Sequence, residues 1–164
     1  MFFTGVLISR NFGVEGKGAM TLLLLVPTLI TVYLGFSVGE GMLFYLGKKN
    51  ISKKIFNWTL FKLGIYFIPF FIIAYAMMYC FLKQYEYSIY PQLILLCALF
   101  YNVILKYSIR GVLYFKAFNI AQILEALIVF LGLLVVIYFQ LHIEYLLWAY
   151  VLSYLTINMY LYVH

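Results

Sequence analysis

Five apolar stretches, each long enough to cross a lipid bilayer, dominate the sequence and leave little room for any other fold. A membrane-spanning helix needs about 20 predominantly apolar residues. Only 10% of the 164 residues are charged, against about 25% in soluble domains. In lipid, each backbone amide needs a partner within the protein, and this favours helices. We therefore predict an all-α, polytopic transmembrane helix bundle with spans at 19–46, 57–82, 88–110, 117–140 and 144–163.

The first nine residues are also apolar, but they are too few to cross a bilayer alone. In a helix they would cover about 14 Å, roughly half of the hydrocarbon core. They have neither the basic start nor the small-residue cleavage site of a signal peptide. We interpret residues 1–9 as the distal part of a truncated first helix, within a single transmembrane domain over 1–164.

Basic residues predict the orientation of the bundle. If the helices alternate in direction, the connections at 48–54 and 106–116 lie on one side, and with Lys62 this side holds eight of the eleven Lys and Arg residues. The positive-inside rule makes that side cytoplasmic. The net charge of +6 thus reflects topology, because the cations form clusters between apolar runs and not the basic face of a nucleic-acid-binding protein.

The sequence contains no motif of an enzyme or cofactor site. A Walker loop, a nucleophile elbow, a zinc-binding H-E-x-x-H and a redox C-x-x-C are all absent. Cys80 and Cys97 lie inside apolar runs, which predicts buried small hydrophobic residues and not a disulfide or a metal pair. We expect no enzyme activity, no catalytic residue, no metal and no cofactor.

Glu40 is an acidic residue inside a span, between Gly39 and Gly41. A carboxylate within the membrane is costly, so it normally faces protein or water. Two interpretations stay open. Glu40 either pairs with a cation or takes up a coupling proton, or it lies at interfacial depth and answers Lys48 or Lys49.

Glycines and prolines of the first two full spans predict close packing and bends. Gly35 and Gly39 form a G-x-x-x-G pair, which is typical of tight helix contact. Pro27 and Pro69 lie in the middle of their spans, where a proline bends a helix. Such bends are either ordinary irregularities or the hinges of moving helices.

Three polar residues follow one another at intervals of three: Asn119, Gln122 and Glu125. On a helix they lie within an arc of about 120°. Such a stripe lines a hydrated cavity, recognises sugar hydroxyls, or forms hydrogen bonds to a neighbouring helix. The acidic member favours the cavity.

Lys106, Arg110 and Lys116 bracket a predicted cytoplasmic turn. Arginine suits bidentate contact with a phosphate. Cations at this position more commonly determine topology or bind lipid headgroups, and the position alone favours that interpretation.

Three stretches carry a family resemblance. Residues 10–18 combine an arginine, a glycine three residues later and a glycine pair before a long apolar run; residues 39–49 end in a Gly-Lys-Lys turn; and residues 110–120 run from Arg-Gly to Lys-Ala-Phe-Asn. In order and spacing they resemble the loop after helix one, the end of helix two with its basic loop, and the turn between helices four and five of the polysaccharide flippases in the multidrug/oligosaccharidyl-lipid/polysaccharide exporter superfamily.

The resemblance implies one lobe of a two-lobed transporter that moves a lipid-linked oligosaccharide across the bacterial cytoplasmic membrane by alternating access. Its implied partners are that substrate, membrane lipids and a second lobe or second copy, with no nucleic acid. One lobe alone cannot enclose a cavity that needs two, so we interpret the chain as a fragment of a larger transporter, a truncated gene product or half of a dimer. The implied substrate or phosphate contacts are Arg10, Arg110, Lys116 and Asn119, and the implied coupling or cavity residues are Glu40, Gln122 and Glu125.

Other functions compete with this one. A cation-coupled drug antiporter of the same superfamily would have acidic residues in its first helix. A small non-transport membrane subunit would be complete at this length. A membrane glycosyltransferase or polymerase is less favoured, because it would need a large polar loop and every loop here is short.

Overall fold

The described residues of the chain form five long helices. The computed structural model describes residues 2–48, 53–82, 88–111 and 114–163, and these residues contain no strand. Each helix is long and apolar enough to span a membrane, so the protein is a multi-pass helical bundle. The helices are α1 (Phe2–Lys48), α2 (Lys53–Leu82), α3 (Tyr90–Gly111), α4 (Phe115–Tyr138) and α5 (Tyr145–Val163).

The ends of the predicted spans agree with the helix ends to within four residues, except at the start of α1. In α1 the part that is apolar enough to cross a membrane is Thr4–Tyr33, which begins earlier than the predicted span at 19–46. There, residues 1–9 were expected to be separated from the next span by a loop. The structure instead reduces that loop to one residue, Gly13, with φ 70° and ψ −172°. A positive φ is readily adopted by glycine. Helix continues on both sides, because backbone amides next to lipid are best satisfied within a helix.

The expected proline bends do not interrupt the helices. Pro27 lies inside α1 and Pro69 inside α2, and the non-helical φ and ψ in α1 belong to Gly13. One turn after Pro27, the Thr31 hydroxyl donates to the Pro27 carbonyl at 2.7 Å. Such bonds from a hydroxyl to its own helix satisfy the side chain without a partner helix.

α3 is the central helix of the bundle and packs against α1 and α5, while α4 packs mainly against α5. Gly39 of α1 lies so close to Tyr107 of α3 that a Cβ at Gly39 would overlap the tyrosine ring. Gly132 makes a similar close approach to Ala149 between α4 and α5. Gly39 therefore has the packing role expected of it. The surroundings of Gly35, the other member of the G-x-x-x-G pair, lie outside what the structure describes.

α2 lies at the edge of the bundle and packs loosely. The Phe67 and Phe71 rings lie 4.6 and 5.6 Å from the ring of Phe100 of α3, which is fully buried. Three further side chains of α2 are buried in the bundle: Leu60, Ala74 and Met78. α2 is thus held by a few side chains spread along its length.

Candidate functional site

An ion pair joins two helices inside the bundle. The Lys106 Nζ of α3 lies 2.7 Å from the Glu125 Oε2 of α4, and these side chains are only 20% and 11% exposed. Glu125 is ten residues into α4, or about 15 Å from its start, which is half of a hydrocarbon core about 30 Å thick. Lys106 is five residues from the end of α3, so its long side chain reaches inward.

α5 completes the surroundings of the carboxylate. Tyr150 and Tyr154 of α5 lie near the Glu125 carboxylate. The Ser153 hydroxyl donates to the backbone carbonyl of Glu125 at 3.4 Å. Three helices therefore converge on Glu125: Lys106 of α3 pairs with its carboxylate, and Ser153 of α5 bonds its backbone carbonyl.

A pair of amides lies one turn along α3 from Lys106. Asn102 Nδ2 donates to Asn158 Oδ1 of α5 at 3.0 Å, and Asn158 Nδ2 donates to the Ala98 carbonyl at 2.9 Å. Lys106 and Asn102 are four residues apart and so lie on the same face of α3. The polar face of α3 thus contacts α4 through the Lys106 ammonium group and α5 through the Asn102 amide.

Charges at this depth are expensive, and the pairing compensates for much of that cost. An unpaired charge in a low-dielectric interior leaves its whole desolvation cost uncompensated, whereas a bonded pair is neutral as a unit. Ionisable residues within membrane spans usually pair with one another and mark ion or substrate pathways. The two charged side chains of this pair could exchange partners if the helices shifted.

The structure separates Arg10 from the other predicted substrate-contact residues, Arg110, Lys116 and Asn119, which lie where α3 ends and α4 begins. Arg10 is exposed on α1 near Gly13, and Gly16, one turn further along α1, lies beside Ile143, which connects α4 to α5. Arg110 lies at the other end of the bundle, at the end of α3, with its guanidinium 4.2 Å from the centre of the Phe118 ring. Such a contact between a cation and an aromatic ring holds a guanidinium in place.

The predicted polar stripe of α4 is divided between two faces. Asn119 and Gln122 are exposed, as is Lys116 one turn earlier, and of the stripe only Glu125 turns into the bundle. Glu40 of α1 is exposed as well. The side chains of Lys48 and Lys49, its suggested partners, lie outside the described residues. Of the seven predicted site residues, Glu125 alone takes part in the buried cluster.

Sequence reasoning missed the partners of Glu125. Lys106 was expected near the end of its span, bracketing a cytoplasmic turn, although a lysine four residues after an asparagine in an apolar span was a signal for a polar helix face. Tyr150 and Tyr154 gave no signal, because seventeen tyrosines are spread through the chain. One further buried amide, Gln92, finds no hydrogen-bond partner among the described residues.

The two cysteines are free thiols. The prediction that they are buried is wrong, because both are exposed on the bundle surface. A small, weakly polar thiol can face hydrocarbon at little cost. Among the described residues, no three His, Cys, Asp or Glu side chains come together as metal ligands would.

Comparison of the chain with protein families, with curated proteins and with solved structures finds no match.

Proposed function

We propose that this chain is one lobe of a transporter that flips a lipid-linked oligosaccharide across the bacterial cytoplasmic membrane by alternating access. The buried ion pair of Lys106 and Glu125 carries the proposal. A bundle that served only as an anchor would gain nothing from a charge pair at this depth, because apolar residues of similar volume are often as stable or more so. A pair that breaks and re-forms is useful where helices must change partners.

Two further features support a moving lobe. Gly13 divides α1 into two arms, and α2 lies at the edge of the bundle with most of its apolar part exposed. Hinges are usually single positions that absorb a change in φ and ψ, and loosely packed elements are the ones that move. The ion pair would then hold α3 and α4 together in one state and release them in the other.

The exposed polar residues of α4 support a cavity that faces a second lobe. Lys116, Asn119 and Gln122 point away from the bundle, where amide and ammonium groups gain nothing from lipid. A lysine and two amides suit a pyrophosphate and sugar hydroxyls, respectively. The second lobe would come from a longer natural polypeptide or from another copy.

A gene disruption tests the proposal directly. In the bacterium that carries this gene, its loss should remove a surface polysaccharide and cause the lipid-linked precursor to accumulate on the cytoplasmic leaflet. The precursor is measured by lipid extraction and mass spectrometry, and its sidedness by a periodate label that does not cross the membrane. Normal surface glycan together with increased sensitivity to cationic drugs would contradict the proposal and favour the antiporter.

Point variants connect the phenotype to the site. Glu125→Gln should fail to restore the surface glycan although it reaches the membrane at normal levels, because the amide cannot balance Lys106. Glu144→Gln is the matched control, since Glu144 lies between α4 and α5 and outside the cluster. Equal restoration by both variants would show that the ion pair has no part in transport.

A further inference from the structure

Gln92, near the start of α3, is a buried polar side chain whose hydrogen-bonding capacity is unused. It is fully buried, and neither its amide nitrogen nor its amide oxygen bonds to any residue that the structure describes. An amide that leaves water without compensation costs free energy, so buried amides in folded proteins nearly always have a partner. Gln92 therefore marks a place where a further hydrogen-bonding group is needed.

A backbone carbonyl of α1 lacks its usual donor for a separate reason. Pro27 lies inside α1 and has no backbone N–H, so the carbonyl of Leu23, four residues earlier, loses the helix bond that it would otherwise accept. Leu23 and Pro27 are both buried, so this side of α1 faces the interior of the bundle. The hydroxyls of Thr28 and Thr31 bond to the carbonyls of Leu24 and Pro27 instead. The carbonyl of Leu23 thus needs a donor from a neighbouring helix or from water.

These two groups lie at the same level of adjacent helices. The first part of α1 shares one buried cluster with the first part of α3, and the later parts share another, so the two helices run in the same direction. Gly39 of α1 lies against Tyr107 of α3. Fifteen residues before this contact, α1 is at Leu24 and α3 is at Gln92. A helix carbonyl points towards the residues that follow it, so the carbonyl of Leu23 lies at about the level of Gln92.

A single water molecule suits both groups. Gln92 does not reach the carbonyl of Leu23 directly, because its nitrogen has no acceptor within hydrogen-bond distance in the part of the chain described. Along the edge of an amide, a water can accept from the N–H and donate to the oxygen, which leaves it one hydrogen for the carbonyl. Three hydrogen bonds are usual for a buried water. The path from solvent is short, since Tyr90, two residues before Gln92, is 76% exposed.

We propose that Gln92 and the carbonyl of Leu23 bind one internal water, which bridges α3 to α1 beside Pro27. The water supplies the bond that the proline cannot make, and it satisfies the Gln92 amide at the same time. Ordered waters restore freed backbone groups in membrane helices in this way. The proposal concerns how α1 packs on α3 and does not depend on saccharide transport.

A cycle of variants tests whether Gln92 serves the carbonyl freed by Pro27. Gln92→Leu should lower the ratio of folded to unfolded protein in mixed SDS micelles by about fivefold, which corresponds to roughly 1 kcal/mol, because it leaves that carbonyl unpaired. In a Pro27→Ala background the amide of residue 27 is restored and bonds the carbonyl, so Gln92→Leu should cost nothing or stabilise the protein.

Pro69→Ala supplies the matched control background, because Pro69 also lies inside a helix but is exposed on α2. There the fivefold loss from Gln92→Leu should persist. A gain in stability from Gln92→Leu in the wild-type protein would show that the amide is merely stranded, and an equal loss in all three backgrounds would show that it does not serve the carbonyl of Leu23. Either result would overturn the proposal.

Solid-state NMR of the isotope-labelled protein in bilayers tests whether water forms the bridge. The side-chain amide protons of Gln92, assigned by their disappearance in Gln92→Leu, should show a cross-peak to water. The Asn102 amide is the control, since it is buried on the same helix but bonded to Asn158, and it should show none. If Gln92 lacks the cross-peak, the proposal fails even where the cycle shows coupling, because a direct bond to α1 would then explain that coupling.

Discussion

α3 and α2 differ in a way that hydropathy alone would not predict. α2 is the more hydrophobic of the two by mean hydropathy, yet only 12% of its most apolar window is buried, against 61% for α3. In water the more apolar helix would seek the interior. In lipid both environments are apolar, so burial follows shape and hydrogen bonding. α3 is central because it carries Asn102 and Lys106, which need partners, and Phe100, which fills space.

We expect the largest loss of stability from a variant that removes the buried ion pair between α3 and α4. Glu125→Leu leaves Lys106 without its partner and should lower the free energy of unfolding by about 3 kcal/mol or more, since it strands a buried charge. Denaturation in mixed micelles with SDS measures the change. Lys106→Met combined with Glu125→Leu should recover most of the loss. A double variant as unstable as the single one would show that packing around the pair matters more than its charge.

A second loss of stability is expected where a large buried side chain is truncated. Phe100→Ala should cost about 2–3 kcal/mol, less than the largest losses in soluble cores, because lipid removes most of the transfer term and leaves the cavity term. The same measurement on Ile72→Ala in α2, which is 63% exposed, should show a change below about 0.5 kcal/mol. Similar losses at both positions would remove the distinction between the two helices.

Glycine substitutions sharpen the account of close packing. Gly39→Ala places a Cβ into the Tyr107 ring and should cost about 1–3 kcal/mol through overpacking. Gly41→Ala is the matched control two residues away, where nothing lies within 4 Å of the added atom. It should be neutral or slightly stabilising, because alanine favours helix over glycine. Thermal unfolding in detergent compares the two variants.

The smallest effect concerns the amide pair. Asn102→Leu removes its hydrogen bond to Asn158 and should cost about 0.6–1.7 kcal/mol, the range for hydrogen bonds between membrane helices. Asn119→Leu, on the exposed face of α4, should cost nothing in the same SDS titration. A larger loss at Asn119 than at Asn102 would place an unseen partner against α4.

The spans were predictable because a charge-free run of about 20 residues has few alternatives. Which face of each helix turns into the bundle was less predictable. Every side of α4 is apolar over most of its length, so periodicity gives no direction, and Asn119 and Glu125 were expected on one polar surface. The interhelical partner of Glu125 was out of reach for a related reason. Which cation meets a buried carboxylate depends on helix rotation, and the sequence encodes rotation only through packing.

The loop predicted after residue 9 is not formed, and the reason is local. Arg10, Glu15 and Lys17 are polar enough to suggest a connection, yet none of them breaks a helix. Gly13 alone takes a non-helical conformation. The three charged residues therefore stay within helix on both sides of Gly13, and their polarity alone does not predict a loop.

The ion pair also has a consequence for how the protein is made. A ribosome releases Lys106 nineteen residues before Glu125, so α3 meets the membrane with its lysine unneutralised. We expect that lysine to stay at headgroup level until α4 arrives, and α3 to reach its final depth only when the two helices enter together. α3 and α4 would then insert into the membrane as a single unit, because α3 is synthesised before the residue that neutralises its lysine.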